Sequence, residues 1–259
     1  MADKTMFELS GKVALVTGGG HGLGREFCDA MAEFGADVAC NDIDEGLAQE
    51  TVKLIKKHGN RAMAIQADMT QQDQIERMVT QTAADFGTID IMFCNAGITD
   101  PTLLHELSVE DWDRVMALNV RGAFLCMRAV LPIMLKQRSG SIVITSSVAG
   151  LMAGSEERSL PSVAYGTSKH AVIGLTRHAA VTYAKYGIRI NAIAPGAHST
   201  RPVNPKRNYE TVEQFLSKFI PMGRVGRPSE VKGLAVYLAS DASSYVTGQV
   251  FVHDGGFIA

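Results

Sequence analysis

The chain has 259 residues, 46% of them hydrophobic and 20% charged, with a formal net charge of −2. That length and composition fit a globular chain with a sizeable core, and the near-neutral balance gives no electrostatic footprint for nucleic acid or an anionic membrane. Residues 1–10 are mixed and charged, no apolar run is expected to span a bilayer, and the four cysteines (Cys28, Cys40, Cys94, Cys126) lack C-x-x-C or zinc-finger spacing. Buried free thiols in a reducing cytoplasm, and no metal site, are therefore expected.

Short apolar runs alternate with longer helical patterns. Strands are predicted at 12–17, 37–41, 61–66, 89–94, 141–145, 189–194 and 250–252. Helices are predicted at 22–34, 44–58, 71–86, 109–137, 164–186 and 228–239, several ended by a glycine (Gly35, Gly59, Gly87, Gly187) and the fourth open to a kink at Pro132. The strands are continuously rather than alternately apolar, which argues a parallel sheet buried on both faces. The expected fold is α/β, a doubly wound parallel sheet of Rossmann type with about seven strands and helices on both faces, in one domain over 1–259. Two stretches break the rhythm, 150–162 and 197–209, and each follows a strand. In open parallel sheets ligands bind beyond the carboxyl ends of the strands, so both are expected to overhang the site, the second within a substrate lid at about 197–220.

Thr17-Gly18-Gly19-Gly20-His21-Gly22-Leu23-Gly24 lies between the first strand and the first helix. Glycines there permit a tight turn and close approach of a pyrophosphate, and a helix N-terminus offers free N–H groups and a positive dipole end. Asp42 ends the second strand 18 residues after Gly24. A carboxylate at that place hydrogen-bonds a ribose 2′-hydroxyl and repels a 2′-phosphate. Ile43, not an arginine, follows it, which favours NAD over NADP; the alternative is a loop carboxylate in an acidic turn. Tyr165 and Lys169, four apart where a helical pattern begins, share one helix face. A neighbouring ammonium favours the phenolate, which can then take a proton from an alcohol or return it to a carbonyl oxygen.

Taken together, TGGGHGLG at 17–24, Asp68, CNAG at 94–97, Asn119, SSVAG at 146–150, YGTSK at 165–169, NAIAPG at 191–196 and GQVFVHDGG at 248–256 resemble the short-chain dehydrogenase/reductase family in its classical subgroup, from Leu9 to the C-terminus. The resemblance implies an oxidoreductase that uses NAD to interconvert a secondary alcohol and a ketone. Tyr165 would be the acid/base, Ser147 would bind the substrate oxygen, Lys169 would tune Tyr165 and hold the nicotinamide ribose, and Asn119 would bend its helix and relay protons. Gly18, Gly22 and Gly24 would shape the pyrophosphate turn, with His21 and Leu23 beside it. Asp68 and Met69 would meet the adenine, although Asp68 also reads as a helix N-cap before Gln71. Asn95, Ala96 and Gly97 would line the adenosine ribose. Pro195, Gly196, His198 and Thr200 would border the nicotinamide, Thr200 on its carboxamide. His198 stands where a branched apolar residue is usual, so it reads as a substrate contact or as a loop residue. Arg158, Arg201, Lys206 and Arg207 read either as a grip on an anionic substrate or as a solvated lid. The family implies a homotetramer and a small-molecule substrate such as a sugar, polyol or hydroxy acid. The same scaffold also hosts NADPH-preferring reductases of carbonyl compounds or 3-oxoacyl thioesters, and cofactor-binding regulators without turnover.

Overall fold

Val13–Val16, wholly buried, is an interior strand, β1, and its apolar run satisfies both faces of a sheet at once. The computed structural model describes residues 4–153, 162–200 and 209–259. The remaining strands are β2 (Asp37–Asp42), β3 (Ala62–Gln66), β4 (Ile91–Cys94), β5 (Gly140–Thr145), β6 (Ile188–Pro195) and β7 (Val250–His253). They form one seven-stranded sheet in the order β3-β2-β1-β4-β5-β6-β7, and every pairing is parallel. The order reverses between β1 and β4, and that switch point opens a crevice at the carboxyl ends.

Helices α1 (Gly22–Glu33), α2 (Glu45–Ile55), α3 (Gln72–Phe86), α4 (Val109–Met116), α5 (Ala123–Gln137), α6 (Val163–Tyr183), α7 (Tyr209–Ser217) and α8 (Lys232–Ala239) connect the strands. One core face packs α3, α5 and α6 on the sheet through Met78, Val130, Met134 and Val172. The other packs α1, α2 and α8 through Phe27, Ile55 and Val236, and Phe27 stacks on Phe93 of β4 at 4.8 Å. Gly87 ends α3 with φ 90°, the left-handed conformation that makes glycine the residue of choice there. All four cysteines are buried free thiols.

Three departures from the sequence expectation carry physical reasons. The stretch Val109–Gln137 breaks at a π-turn, Ala117–Gly122, while Pro132 sits inside α5. The irregular turn is where Asn119 spends its side chain on other backbone, so the distortion follows the polar residue rather than the proline. Contrary to the expectation that no such run exists, an 18-residue window within the same stretch, of mean hydropathy 1.5, is apolar enough by composition to cross a membrane, but 44% of that window is buried inside the fold. Finally, α7 was not expected; Val212, Phe215, Leu216 and Phe219 recur at helical spacing, a signal masked by the proline-rich residues before it. Arg158, Arg201, Lys206 and Arg207, with 154–160 and much of the anticipated lid, lie outside the described residues.

Candidate active site

Beyond β1 the chain turns so tightly that side chains are excluded. A Cβ on Gly24 would lie 2.0 Å from the Gly18 carbonyl oxygen and 2.6 Å from Asn95 Nδ2, and Gly18 itself has φ 62°. Gly22 faces Thr200, whose Cγ2 would lie 3.4 Å from a Cβ placed there. No side chain caps the start of α1, so its N–H groups and dipole remain for an anion. A cradle that only glycine can line, at a helix N-terminus, fits a dinucleotide pyrophosphate.

Asn95 secures this cradle. Its Nδ2 donates to the carbonyls of Thr17 (3.0 Å) and Gly18 (3.2 Å), its backbone N–H donates to Thr17 Oγ1, and its Oδ1 accepts from Thr145 Oγ1 at 3.1 Å. The N–H of Ala96 also donates to Thr17 Oγ1, at 3.2 Å. At the end of β2, Asp42 is buried and its Oδ2 accepts from Gly20 N at 3.0 Å, while Oδ1 accepts from Asp44 N at 3.1 Å. His21 Nδ1 stands 3.8 Å away. Burial pulls the Asp42 carboxyl upward, but the His21 imidazole and the two N–H groups outweigh it and leave the group below the ordinary aspartate value. Ile43 is exposed beside it, and Met69 is buried. Asp68 does not cap α3, whose N-cap is Gln71; its Oδ1 accepts instead from Thr70 N and Oγ1 at 2.8 Å each.

Several of the remaining predicted residues surround a cavity of about 270 Å³ at the same edge, and Asn119 is not among them. Tyr165 and Lys169 come from α6, Ser147 from the loop after β5, and His198 from the loop after β6; Leu23, Asn95, Gly97, Pro195, Gly196 and Thr200 close the walls. A larger opening of about 510 Å³ lies at the amino edge beside Lys12 and Asp90 and shares none of these residues. Among the described residues no cluster of His, Cys, Asp or Glu is arranged to hold a metal.

Lys169 is buried, donates from Nζ to Thr145 O at 2.7 Å, and stands 5.4 Å from the centre of the Tyr165 ring. Burial brings its pKa down to about 8. Burial also pushes the Tyr165 phenol up, against a hydrogen bond with Ser147 that lowers it. The sequence expectation that Lys169 depresses the phenol is thus corrected: the ammonium is turned toward Thr145 and pays its own desolvation, so burial dominates at Tyr165. Ser147 Oγ also accepts from Ala149 N at 3.2 Å, whereas the preceding Ser146 is occupied, donating to Lys169 O at 2.9 Å. Asn119 accepts from Ile98 N on Oδ1 and donates to Ile98 O and Ser168 Oγ, all at 2.9 Å. Ser168 in turn donates to Tyr165 O at 2.7 Å, which ties the π-turn to the Tyr165 end of α6.

His198 is a residue of the loop after β6 whose ring is engaged by the protein. Its Nδ1 lies 3.0 Å from Gly196 O and its Nε2 3.0 Å from His253 Nδ1, so both nitrogens face the protein and no N–H is left for substrate. Burial is the largest cause holding the His198 imidazole below the ordinary histidine value; the Gly196 carbonyl and the Glu230 carboxylate oppose it, and His253 adds to it. Sequence reasoning passed over His253, although it and His198 stand at the carboxyl ends of what proved to be neighbouring strands.

The family model described as Enoyl-(Acyl carrier protein) reductase matches residues 18–258. A 3-oxoacyl-[acyl-carrier-protein] reductase of Synechocystis sp. is 39% identical over 98% of this chain and 99% of its own. A 2,5-dichloro-2,5-cyclohexadiene-1,4-diol dehydrogenase of Sphingobium indicum is 40% identical over 98% of this chain and 100% of its own. The crystal structure of a short-chain type dehydrogenase/reductase from Mycobacterium marinum superposes with a TM-score of 0.92 at 38% identity, covering 98% of each chain. A glycine-only cradle, a Ser–Tyr–Lys cavity beside it and likeness along nearly the whole length establish that this chain is an oxidoreductase acting on CH–OH groups and belongs to the short-chain dehydrogenase/reductase family.

Proposed function

We propose that the protein interconverts a secondary alcohol and a ketone with NAD as cofactor. The observation that carries this reading is the meeting of Ser147, Tyr165 and Lys169 around one cavity next to the glycine cradle. In oxidation, Tyr165 Oη takes the hydroxyl proton and Ser147 Oγ steadies the oxygen that becomes a carbonyl. Lys169, held by the Thr145 carbonyl, would hold a ribose hydroxyl of the cofactor. Asn119, fixed to Ile98 and Ser168, keeps α6 in place and opens a path for the proton. With its pyrophosphate in the cradle, the cofactor would supply the hydride acceptor through its nicotinamide and, when oxidised, a positive charge. Gly18, Gly22 and Gly24 admit the pyrophosphate, Asp68 and Met69 the adenine, Asn95 to Gly97 the adenosine ribose, and Thr200 the carboxamide.

The preference for NAD rests on Asp42, a carboxylate fixed by two N–H groups where a 2′-phosphate would have to sit. Asp42→Ala is expected to raise the ratio of NADP to NAD kcat/KM by at least about tenfold, ~1.4 kcal/mol. An unchanged ratio removes that role from Asp42.

A second reading, an NADPH-preferring reductase of 3-oxoacyl thioesters, is favoured by the likeness to the Synechocystis reductase. A regulator without turnover is disfavoured by the intact Asn119–Ser147–Tyr165–Lys169 set. Homotetramer formation fits the exposed Phe124 and Val181 on α5 and α6 and the exposed Tyr245 and Val252 near β7. The buried thiols suit a cytoplasmic setting, and the small net charge favours a small-molecule substrate over nucleic acid or membrane. Turnover of neutral and anionic alcohols, sugars and hydroxy acids with NAD and NADP, and of a 3-oxoacyl thioester with NADPH, read by nicotinamide absorbance, separates these readings.

A further inference from the structure

Two imidazoles at the rim of the cavity form a chain with three links. Gly196 O meets His198 Nδ1 at 3.0 Å, His198 Nε2 meets His253 Nδ1 at 3.0 Å, and His253 Nε2 meets Glu230 O at 3.1 Å. The rings lie within 18° of parallel. Both ends of the chain are carbonyl oxygens, which only accept, so each end link needs an N–H on the ring that faces it. Two neutral imidazoles carry one N–H each. With both at the ends, His198 Nε2 and His253 Nδ1 face each other as lone pairs. Moving either proton to the middle leaves a bare nitrogen against a carbonyl at one end. Three protons on the two rings satisfy every link, and the pair then carries one positive charge.

We propose that His198 and His253 act as one proton-sharing unit that pins the 196–200 loop over the catalytic cavity, with His253 a positioning residue working through His198. The loop is otherwise held by Gly196 N donating to His253 O at 3.0 Å, Ser199 N donating to Gly226 O at 2.8 Å and Gly226 N donating to Ala197 O at 2.9 Å. It carries Thr200 over the glycine cradle. The charged groups around the pair suit a single shared charge. Glu230 attracts it, although its carboxylate is also gripped by Arg224 and Arg227. Asp254, beside His253, accepts from Gly256 N and Ile258 N. Lys169 and Tyr165 stand across the cavity. The second ring, which repels a full charge on His198 when each titrates alone, becomes the acceptor of the same proton when the two share it. All three links hold while the pair carries its one shared charge, and one is lost as pH rises and that proton leaves.

This inference deepens the dehydrogenase reading by naming what holds the nicotinamide-side loop, but its first test does not depend on turnover. Protein labelled with ¹⁵N in its histidine rings is titrated by NMR, without cofactor or substrate, from about pH 5 to pH 9. His198 and His253 are expected to move together in one step, with a far-downfield signal from the shared proton. In His253→Phe, which keeps ring bulk, His198 is expected to lose its proton at a pH lower by about one unit or more. The wild-type titration needs no variant and so stands even if His253→Phe unfolds. In the enzyme, the KM for NAD is expected to rise as the shared proton leaves, an inflection missing from His253→Phe. Two neutral rings throughout, or a His198 midpoint unchanged in the variant, overturns the shared proton; a KM flat across the wild-type transition overturns the positioning role.

Discussion

Tyr165→Phe is expected to lower kcat by about 10²–10⁴-fold while leaving NAD affinity near that of the wild type. The substitution removes one hydroxyl and keeps the ring that packs 5.4 Å from Lys169 Nζ, so the cavity keeps its shape and the glycine cradle is untouched. What goes is the group able to move a proton at the substrate oxygen. Because burial raises the phenol, oxidation, which needs the phenolate, gains rate as pH rises, and reduction, which needs the phenol, loses it. Lys169, brought down to about 8, loses its charge at a lower pH than the phenol does its proton. Calorimetric titration with NAD and steady-state rates across pH together check this. Retention of more than a tenth of kcat would move the acid/base role away from Tyr165.

Gly24→Ala is expected to damage the cradle itself. Its Cβ would sit 2.0 Å from Gly18 O, a backbone atom with no rotamer through which to retreat, and 2.6 Å from Asn95 Nδ2. The turn must open or α1 must shift, and overpacking of this kind costs about 1–3 kcal/mol. Thermal unfolding should fall by ~2–4 °C for each kcal/mol. NAD affinity should fall more steeply than stability, because the N–H groups at the start of α1 move with the turn. Gly174→Ala serves as a control, since nothing lies within 4 Å of a Cβ there and the residue lies inside α6. Equal behaviour of the two variants would show that the turn has slack the geometry does not allow.

These expectations rest on features of unequal legibility. The strands announced themselves because a sheet covered on both faces demands unbroken apolar runs, as in VALV and IMFC. Tyr165, Lys169, Ser147 and the glycine turn were legible because each lies in a short motif with fixed spacing. The π-turn was not: Pro132 is the conspicuous irregularity in its sequence, yet Asn119, whose side chain bonds to residues 21 and 49 positions away, is where the helix gives. Long-range partners of that kind leave no local trace. The charge balance at Tyr165 was misjudged for a related reason, since spacing along a helix reveals a neighbour but not the depth at which both are buried. His253 was passed over because its partner became visible only once β6 and β7 were known to be adjacent.

The bonds made by Asn95 have a consequence for how changes at this site combine. Asn95 grips Thr17 and Gly18 on one side and Thr145 on the other, and the carbonyl of Thr145 holds Lys169 Nζ. The belt crosses β1, β4 and β5 at their carboxyl ends. Loosening Asn95 therefore slackens the nucleotide cradle and frees the lysine at once, so Asn95→Ala and Lys169→Ala remove partly the same free energy. Their effects on kcat/KM should fall short of a simple sum by about 0.5–3 kcal/mol in a double-mutant cycle. Changes on opposite sides of the belt form a single thermodynamic unit, and a variant library scored one position at a time will overstate the damage of any pair drawn from it.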